Sequence, residues 1–135
     1  MDRTNATELL EDPTVPEDVA IQAYRDLART QRLLGNTAAI LRRLKKIDTP
    51  VRSILDIGCG HGDLLVEIRE KLAVDVIGFD LRPAPASSPV KILTGNASID
   101  DLPSADVAIS VCVAHHLSRE EVIDMVRNVS RSCDG

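Results

Sequence analysis

The sequence contains almost no aromatic residues: its 135 residues include one Tyr, one Phe and no Trp. Proteins that bind single-stranded nucleic acid stack the bases on several exposed aromatic rings, so this scarcity argues against that class of function. The net charge of −5 also provides no general surface for polyanions. We therefore expect no nucleic-acid partner.

The sequence also lacks long apolar runs and an even number of cysteines. No run approaches the ~20 residues that a membrane-spanning helix needs. The three cysteines are an odd number and lie far apart, and no secretory signal follows Met1. These features predict a cytoplasmic protein with reduced thiols and no membrane contact.

Two sequence patterns divide the chain. Residues 1–48 are predicted to form two amphipathic helices, separated by Gly35, with Asn36 capping the second. Residues 49–135 instead alternate helices with apolar strands, which are predicted at 51–57, 74–79, 90–93 and 105–113. This alternation predicts an α/β fold: a partial, Rossmann-like parallel sheet of about four strands, covered by helices. Ligands bind such sheets at the carboxyl ends of the strands.

The last predicted helix has a clear start signal. Ser118 and Glu121 have the spacing of a capping box. Helical periodicity then predicts a buried stripe made of Val122, Met125, Val126 and Val129.

A glycine-rich turn carries the strongest chemical signal, because Gly58, Gly60 and Gly62 join a predicted strand to a predicted helix. Their G-x-G-x-G spacing differs from the G-x-G-x-x-G of dinucleotide sites, and a P-loop lysine is absent. Asp80 ends the next strand, where an acid can accept hydrogen bonds from two ribose hydroxyls. The combination predicts a nucleoside ligand without phosphate.

Several segments of the chain resemble those of a known family and occur in the same order. Leu55-Asp56-Ile57-Gly58-Cys59-Gly60-His61-Gly62 resembles the first motif of class I S-adenosylmethionine (SAM)-dependent methyltransferases of the small-molecule type. Asp80 matches the ribose-binding acid of that family, and Gly95-Asn96-Ala97 resembles its adenine-contacting Gly-Asp-Ala turn. Residues 106–111 and 113–117 resemble the fourth strand and the segment after it.

The resemblance implies SAM as cofactor and methyl transfer to a small-molecule acceptor. It assigns residues 1–48 to a helical lid and residues 49–135 to a partial SAM-binding domain. His115 and His116 are candidate catalytic bases, with shaping of the rim as the alternative role. The residues that it implies for cofactor binding are Asp56, Gly58, Cys59, Gly60, Gly62, Asp80, Leu81, Asn96, Ala97 and Val111.

The chain departs from the family pattern in two respects. Asn96 replaces the usual Asp, although its side-chain oxygen can still accept a hydrogen bond from an adenine amine. The family sheet has seven strands, whereas four are found here. A non-catalytic nucleoside- or SAM-binding module, or a fragment of a larger methyltransferase, therefore stays open as an alternative. An NAD-dependent dehydrogenase is disfavoured by the glycine spacing.

Two further expectations concern metals and assembly. The Cys59–His61 and Cys112–His115 spacings are too loose for a dedicated zinc site, so no metal is expected. The predicted fourth strand carries no charge that would protect an exposed sheet edge. It therefore predicts a homodimer through that edge, unless the last helix covers it.

Overall fold

A computed structural model describes residues 14–33, 35–111 and 117–133 of the chain. The chain forms two compact units, Met1–Ile47 and Asp48–Gly135. The first unit contains helices α1 (Glu17–Leu33) and α2 (Asn36–Lys45). Gly35 rather than Asn36 occupies the N-cap of α2, with a φ of 75°. Glycine adopts this left-handed conformation without the penalty that a Cβ would bring, so the predicted cap is displaced by one residue.

A four-stranded parallel sheet organises the second unit, with strand order β3-β2-β1-β4. Its elements along the chain are β1 (Ser53–Ile57), α3 (Asp63–Leu72), β2 (Asp75–Asp80), β3 (Ile92–Thr94), β4 (Val107–Ser110) and α4 (Arg119–Ser132). The predicted α/β fold is confirmed, with β1 inside the sheet. Because all four strands run in the same direction, their carboxyl ends meet at one edge of the sheet.

The central strand β1 is the most deeply buried strand of this unit. Leu55 and Ile57 belong to the apolar core, together with Phe79 and Met125. Side chains alternate along a strand, so Asp56 projects to the opposite face from these two residues. Its carboxyl group therefore lies within a buried strand rather than at the surface, and only 3% of the residue is exposed.

Helix α4 begins with the predicted capping box, in which the Ser118 side chain accepts from the Glu121 N–H and the Glu121 carboxylate accepts from the Ser118 N–H. Met125 and Val129 reach the core as predicted. The prediction for Val126 is wrong, because this residue is 54% exposed. No helix in the described ranges is long and apolar enough to cross a membrane.

The fourth strand is shorter than predicted. It begins at Val107, and Ala105 instead forms an isolated parallel bridge with Cys133, at the end of α4. The Ala105 N–H donates to the Ser132 carbonyl at 3.3 Å. The predicted extension to residue 113 enters residues 112–116, which lie outside the described ranges.

Candidate functional site

The turn between β1 and α3 depends on three glycines in the left-handed region. The φ angles are 75° at Gly58, 59° at Gly60 and 85° at Gly62. A side chain at these positions would bring steric strain of roughly 1–2 kcal/mol per residue. The Gly58 N–H donates to the Phe79 carbonyl at 2.7 Å, which fixes the start of the turn beside β2. The sequence pattern therefore corresponds to a tight turn at the carboxyl edge of the sheet.

A loop that precedes β3 supports this turn from behind. A Cβ atom at Gly62 would overlap Val90 Cγ2 and would lie 3.5 Å from Ile92 Cδ1. The Ser88 hydroxyl lies within donating distance of the His61 carbonyl (3.3 Å) and the Val90 carbonyl (3.0 Å). Sequence reasoning identified this segment only as a loop, because its contacts with the turn arise from the tertiary fold.

Asp80, at the end of β2, anchors the turn from the other side. Its Oδ2 accepts from the Gly60 N–H at 2.9 Å, and its Oδ1 accepts from the Arg82 N–H at 2.9 Å. Two backbone donors thus fix the orientation of the carboxylate. Each carboxylate oxygen has a second lone pair that can accept a further hydrogen bond. The arrangement can bind a ligand with two adjacent hydroxyl groups.

Asp56 is the buried acid of the site. Its Oδ1 is buried and has no hydrogen-bond partner among the residues that the structure describes. Burial, and to a smaller extent the neighbouring Asp80 charge, raise the pKa of this carboxyl to about 8. An unpartnered buried polar atom is unusual in a folded protein and calls for a specific explanation.

Burial also raises the pKa of Asp80, although the Arg82 and Gly60 N–H groups oppose that rise. The pKa of the Cys59 thiol is raised by burial and then by the charges of Asp56 and Asp80. Cys59 is therefore a neutral thiol and a poor nucleophile at neutral pH. A cationic ligand would stabilise the ionised forms of both acids.

A second turn follows β3 at the same edge. The Gly95 N–H donates to the Asp80 carbonyl at 2.9 Å. Asn96 Oδ1 accepts from the Ser98 N–H at 2.9 Å, and the Asn96 N–H donates to Asp100 Oδ2 at 2.7 Å. The turn after β3 is thus closed by its own polar side chains and hydrogen-bonded to the end of β2.

Asn128 on α4 holds the same turn from outside the sheet. Its Nδ2 donates to the carbonyls of Ala97 (2.9 Å) and Asp100 (2.6 Å). Sequence reasoning missed both Asn128 and Asp100. The sequence signal for Asn128 was weak, because this polar residue directly precedes Val129 but is not part of the predicted apolar stripe.

The other predicted site residues lie at different depths. Leu81 directly follows Asp80 and is 67% exposed, whereas Ala97 and Val111 are half-buried. The candidate bases His115 and His116 lie outside the described ranges. Within those ranges, no group of three or more His, Cys, Asp or Glu side chains could hold a metal ion.

The comparison with family models identifies the chain's relatives. A family model described as "Methyltransferase domain" matches residues 25–131, which is well over half of the chain. The chain belongs to this methyltransferase-domain family. No curated protein sequence matches it.

Solved structures share the fold of this methyltransferase-domain chain. The sugar N-methyltransferase KedS8 from Streptoalloteichus sp. is 21% identical, with a TM-score of 0.64 over 81% of this chain and 49% of its own. The amino pentose methyltransferase CalS10 from Micromonospora echinaspora, solved with SAM, is 23% identical, with a TM-score of 0.58 over 82% and 51%.

A third solved structure, human N-acetylserotonin methyltransferase in complex with SAM, is 18% identical, with a TM-score of 0.65 over 96% of this chain and 44% of its own. The methyltransferase-domain chain therefore spans about half the length of the solved structures that it matches.

Proposed function

We propose that this chain binds SAM at the carboxyl edge of its sheet and takes part in methyl transfer to a small-molecule acceptor. The observation that carries the proposal is the Asp80 carboxylate, which the Gly60 and Arg82 N–H groups hold beside a turn of left-handed glycines. Membership of the methyltransferase-domain family supports the same conclusion.

The residues present fit the cofactor at its ribose and amino-acid ends. Each carboxylate oxygen of Asp80 has a second lone pair beyond the one that the backbone N–H group uses, which suits the two ribose hydroxyls. The buried, unpartnered Oδ1 of Asp56 would receive a hydrogen bond from the cofactor's ammonium group. Gly58 and Gly60 would let the ligand approach the bare backbone. Gly62 belongs to the same proposed site, and its missing side chain leaves room for Val90.

We assign the adenine end to the neighbouring turns. Leu81 presents an exposed apolar side chain directly after Asp80, and we propose that it packs against the adenine ring. Asn96 Oδ1 already accepts from the Ser98 N–H, so its remaining lone pair would accept from the adenine amine. Ala97, Val111 and Cys59 would complete the apolar wall.

Methyl transfer then requires positioning more than acid–base power. When bound, SAM supplies a methyl group on a sulfonium cation, which is already activated for displacement. The chain's task is to fix that group in line with an acceptor atom at near-attack distance. We propose His115 or His116 as the base for an acceptor hydroxyl, and residues 1–48 as a lid over the site.

The acceptor class is inferred from relatives. Two of the structural neighbours are a sugar N-methyltransferase and an amino pentose methyltransferase. We therefore propose a small-molecule acceptor rather than a nucleic acid, in line with the scarcity of aromatic residues.

The thiols of Cys59 and Cys133 are not in disulfides, which supports the proposal of a reducing, cytoplasmic location.

Titration calorimetry with S-adenosylhomocysteine, NAD and ATP tests the cofactor assignment. S-Adenosylhomocysteine should bind more tightly than NAD or ATP. Those two ligands carry negatively charged phosphates, which the acidic side chains of the site would repel. Tighter binding of NAD would overturn the assignment. A methyl-transfer assay beside the titration separates an enzyme from a binding module, since a module would bind the ligand without transferring methyl groups.

We also propose self-association through β4. This strand is the last on its side of the described sheet, and the bridge between Ala105 and Cys133 lies just before it. Val107–Ser110 would pair with a second copy to continue the sheet. Light scattering should give twice the mass of the chain, and Ser110→Lys should restore the monomer.

The same substitution at exposed Ser130, on α4, serves as the control and should leave the dimer intact. A wild-type chain that is monomeric at micromolar concentration would show that the β4 edge does not pair.

A further inference from the structure

Among the residues that the structure describes, the groups that face Asp56 do not neutralise it. Across the sheet it pairs with Gly78 on β2 and Ile109 on β4, neither of which carries charge. The Cys59 thiol faces it from the turn, and the Asp80 carboxyl faces it from the end of β2.

Two basic side chains in the described ranges act on the other acid. Both His61 and Arg82 lower the pKa of Asp80 rather than that of Asp56. Asp56 is thus a buried carboxyl with one oxygen unpartnered in the described ranges and with an acidic neighbour.

A buried carboxylate without a partner is costly, so the site without ligand favours the neutral acid. Burial and the Asp80 charge raise the pKa of Asp56 to about 8. At pH 7 a group with that pKa is about nine-tenths protonated. A cation within ~4–6 Å would lower the pKa by about 1–3 and so favour the carboxylate.

We propose that cofactor binding expels the proton of Asp56. The O–H bond of the carboxylic acid breaks, the proton passes to solvent, and the resulting carboxylate pairs with the cofactor's ammonium group. This inference rests on the proposed function, and it goes further by making cofactor affinity depend on pH. The unpartnered Oδ1 is then the acceptor that the ligand completes.

Calorimetry with S-adenosylhomocysteine in buffers of different ionisation heats counts the protons released. At pH 7 the wild-type chain should release about 0.4–0.9 protons per ligand bound, for the range of pKa shifts given above. Its affinity should rise by about 5- to 50-fold between pH 6 and pH 8.

Asp56→Asn should bind S-adenosylhomocysteine more weakly than the wild-type chain at pH 8. It should also lack the proton that Asp56 releases and most of the pH dependence of the affinity. Protons from the ligand or from other groups are still counted in this variant, so the difference from wild type isolates Asp56. Asp75→Asn is the matched control, since Asp75 is exposed at the opposite end of β2, and it should behave like wild type.

Infrared spectroscopy of the wild-type chain gives an answer that does not depend on any variant. A protonated-carboxyl band at pH 7 should lose about half to nearly all of its intensity when S-adenosylhomocysteine is added, for the same range of pKa shifts. Ligand binding with that band unchanged, and with equal proton counts in wild type and Asp56→Asn, would overturn the inference while the proposed function stands. Absence of ligand binding at every pH would overturn both.

Discussion

Asp80→Ala is expected to weaken S-adenosylhomocysteine binding by about 10- to 150-fold, which corresponds to about 1.5–3 kcal/mol. The substitution removes the acceptor proposed for the two ribose hydroxyls. It also removes the partner of the Gly60 N–H, 2.9 Å from Asp80 Oδ2, and so loosens the glycine turn. Both losses act on the same ligand, and calorimetry measures their sum.

Two further variants serve as comparisons for Asp80→Ala: one tests the contribution of the carboxylate charge, and the other is a control on the same strand. Asp80→Asn keeps one side-chain oxygen as an acceptor but no charge, so it should fall between wild type and Asp80→Ala. Asp75→Ala changes the exposed acid at the other end of the same strand and should bind normally. Unchanged affinity in Asp80→Ala, with a normal circular dichroism spectrum, would remove Asp80 from the site.

The second large effect concerns the stability of the chain without ligand, which should fall as the pH rises from about 4 to about 8. The raised pKa of Asp56 means that the folded state keeps its proton to about pH 8. The unfolded state loses that proton near the ordinary value of 3.8. Between these values the folded state binds more protons, so raising the pH favours unfolding.

Each fully linked proton contributes up to about 1.4 kcal/mol per pH unit, or about 3 kcal/mol between pH 5 and pH 7. The pKa of Asp80 is also raised, and its contribution has the same sign. Urea unfolding followed by circular dichroism at several pH values measures the slope. Asp56→Asn should flatten it and should be more stable than wild type at pH 8.

Asp75→Asn is the control for the stability series, because Asp75 is exposed. Equal slopes for wild type and Asp56→Asn would show that the Asp56 carboxyl is ionised in the folded chain. The buried acid would then need a partner other than the proposed ligand.

The sheet was predictable because its signals are local. Apolar runs gave the strands, the glycine spacing gave the turn after β1, and the alternation with helices gave parallel pairing. The capping box at Ser118 and Glu121 was predictable for the same reason, since both partners lie within one helical turn. The position of Asp80 at the end of β2 follows from the length of that strand.

The features that could not be predicted from the sequence depend on contacts between distant segments. Val126 and Asn128 lie on the same helix, yet Val126 is exposed while Asn128 holds two carbonyls of the turn after β3. Periodicity ranks both positions by hydropathy and cannot identify carbonyl groups that need a donor. The unpartnered oxygen of Asp56 was hidden for the same reason, because burial and partners are properties of the assembled sheet.

A crystal structure of the chain with S-adenosylhomocysteine tests the central claim most directly. We expect the ribose hydroxyls to lie within hydrogen-bond distance of both Asp80 carboxylate oxygens and the ligand's amino group to lie at Asp56 Oδ1. The ligand should lie along the protein backbone of residues 58–62. A ligand bound elsewhere, or bound here with its ribose away from Asp80, would contradict it.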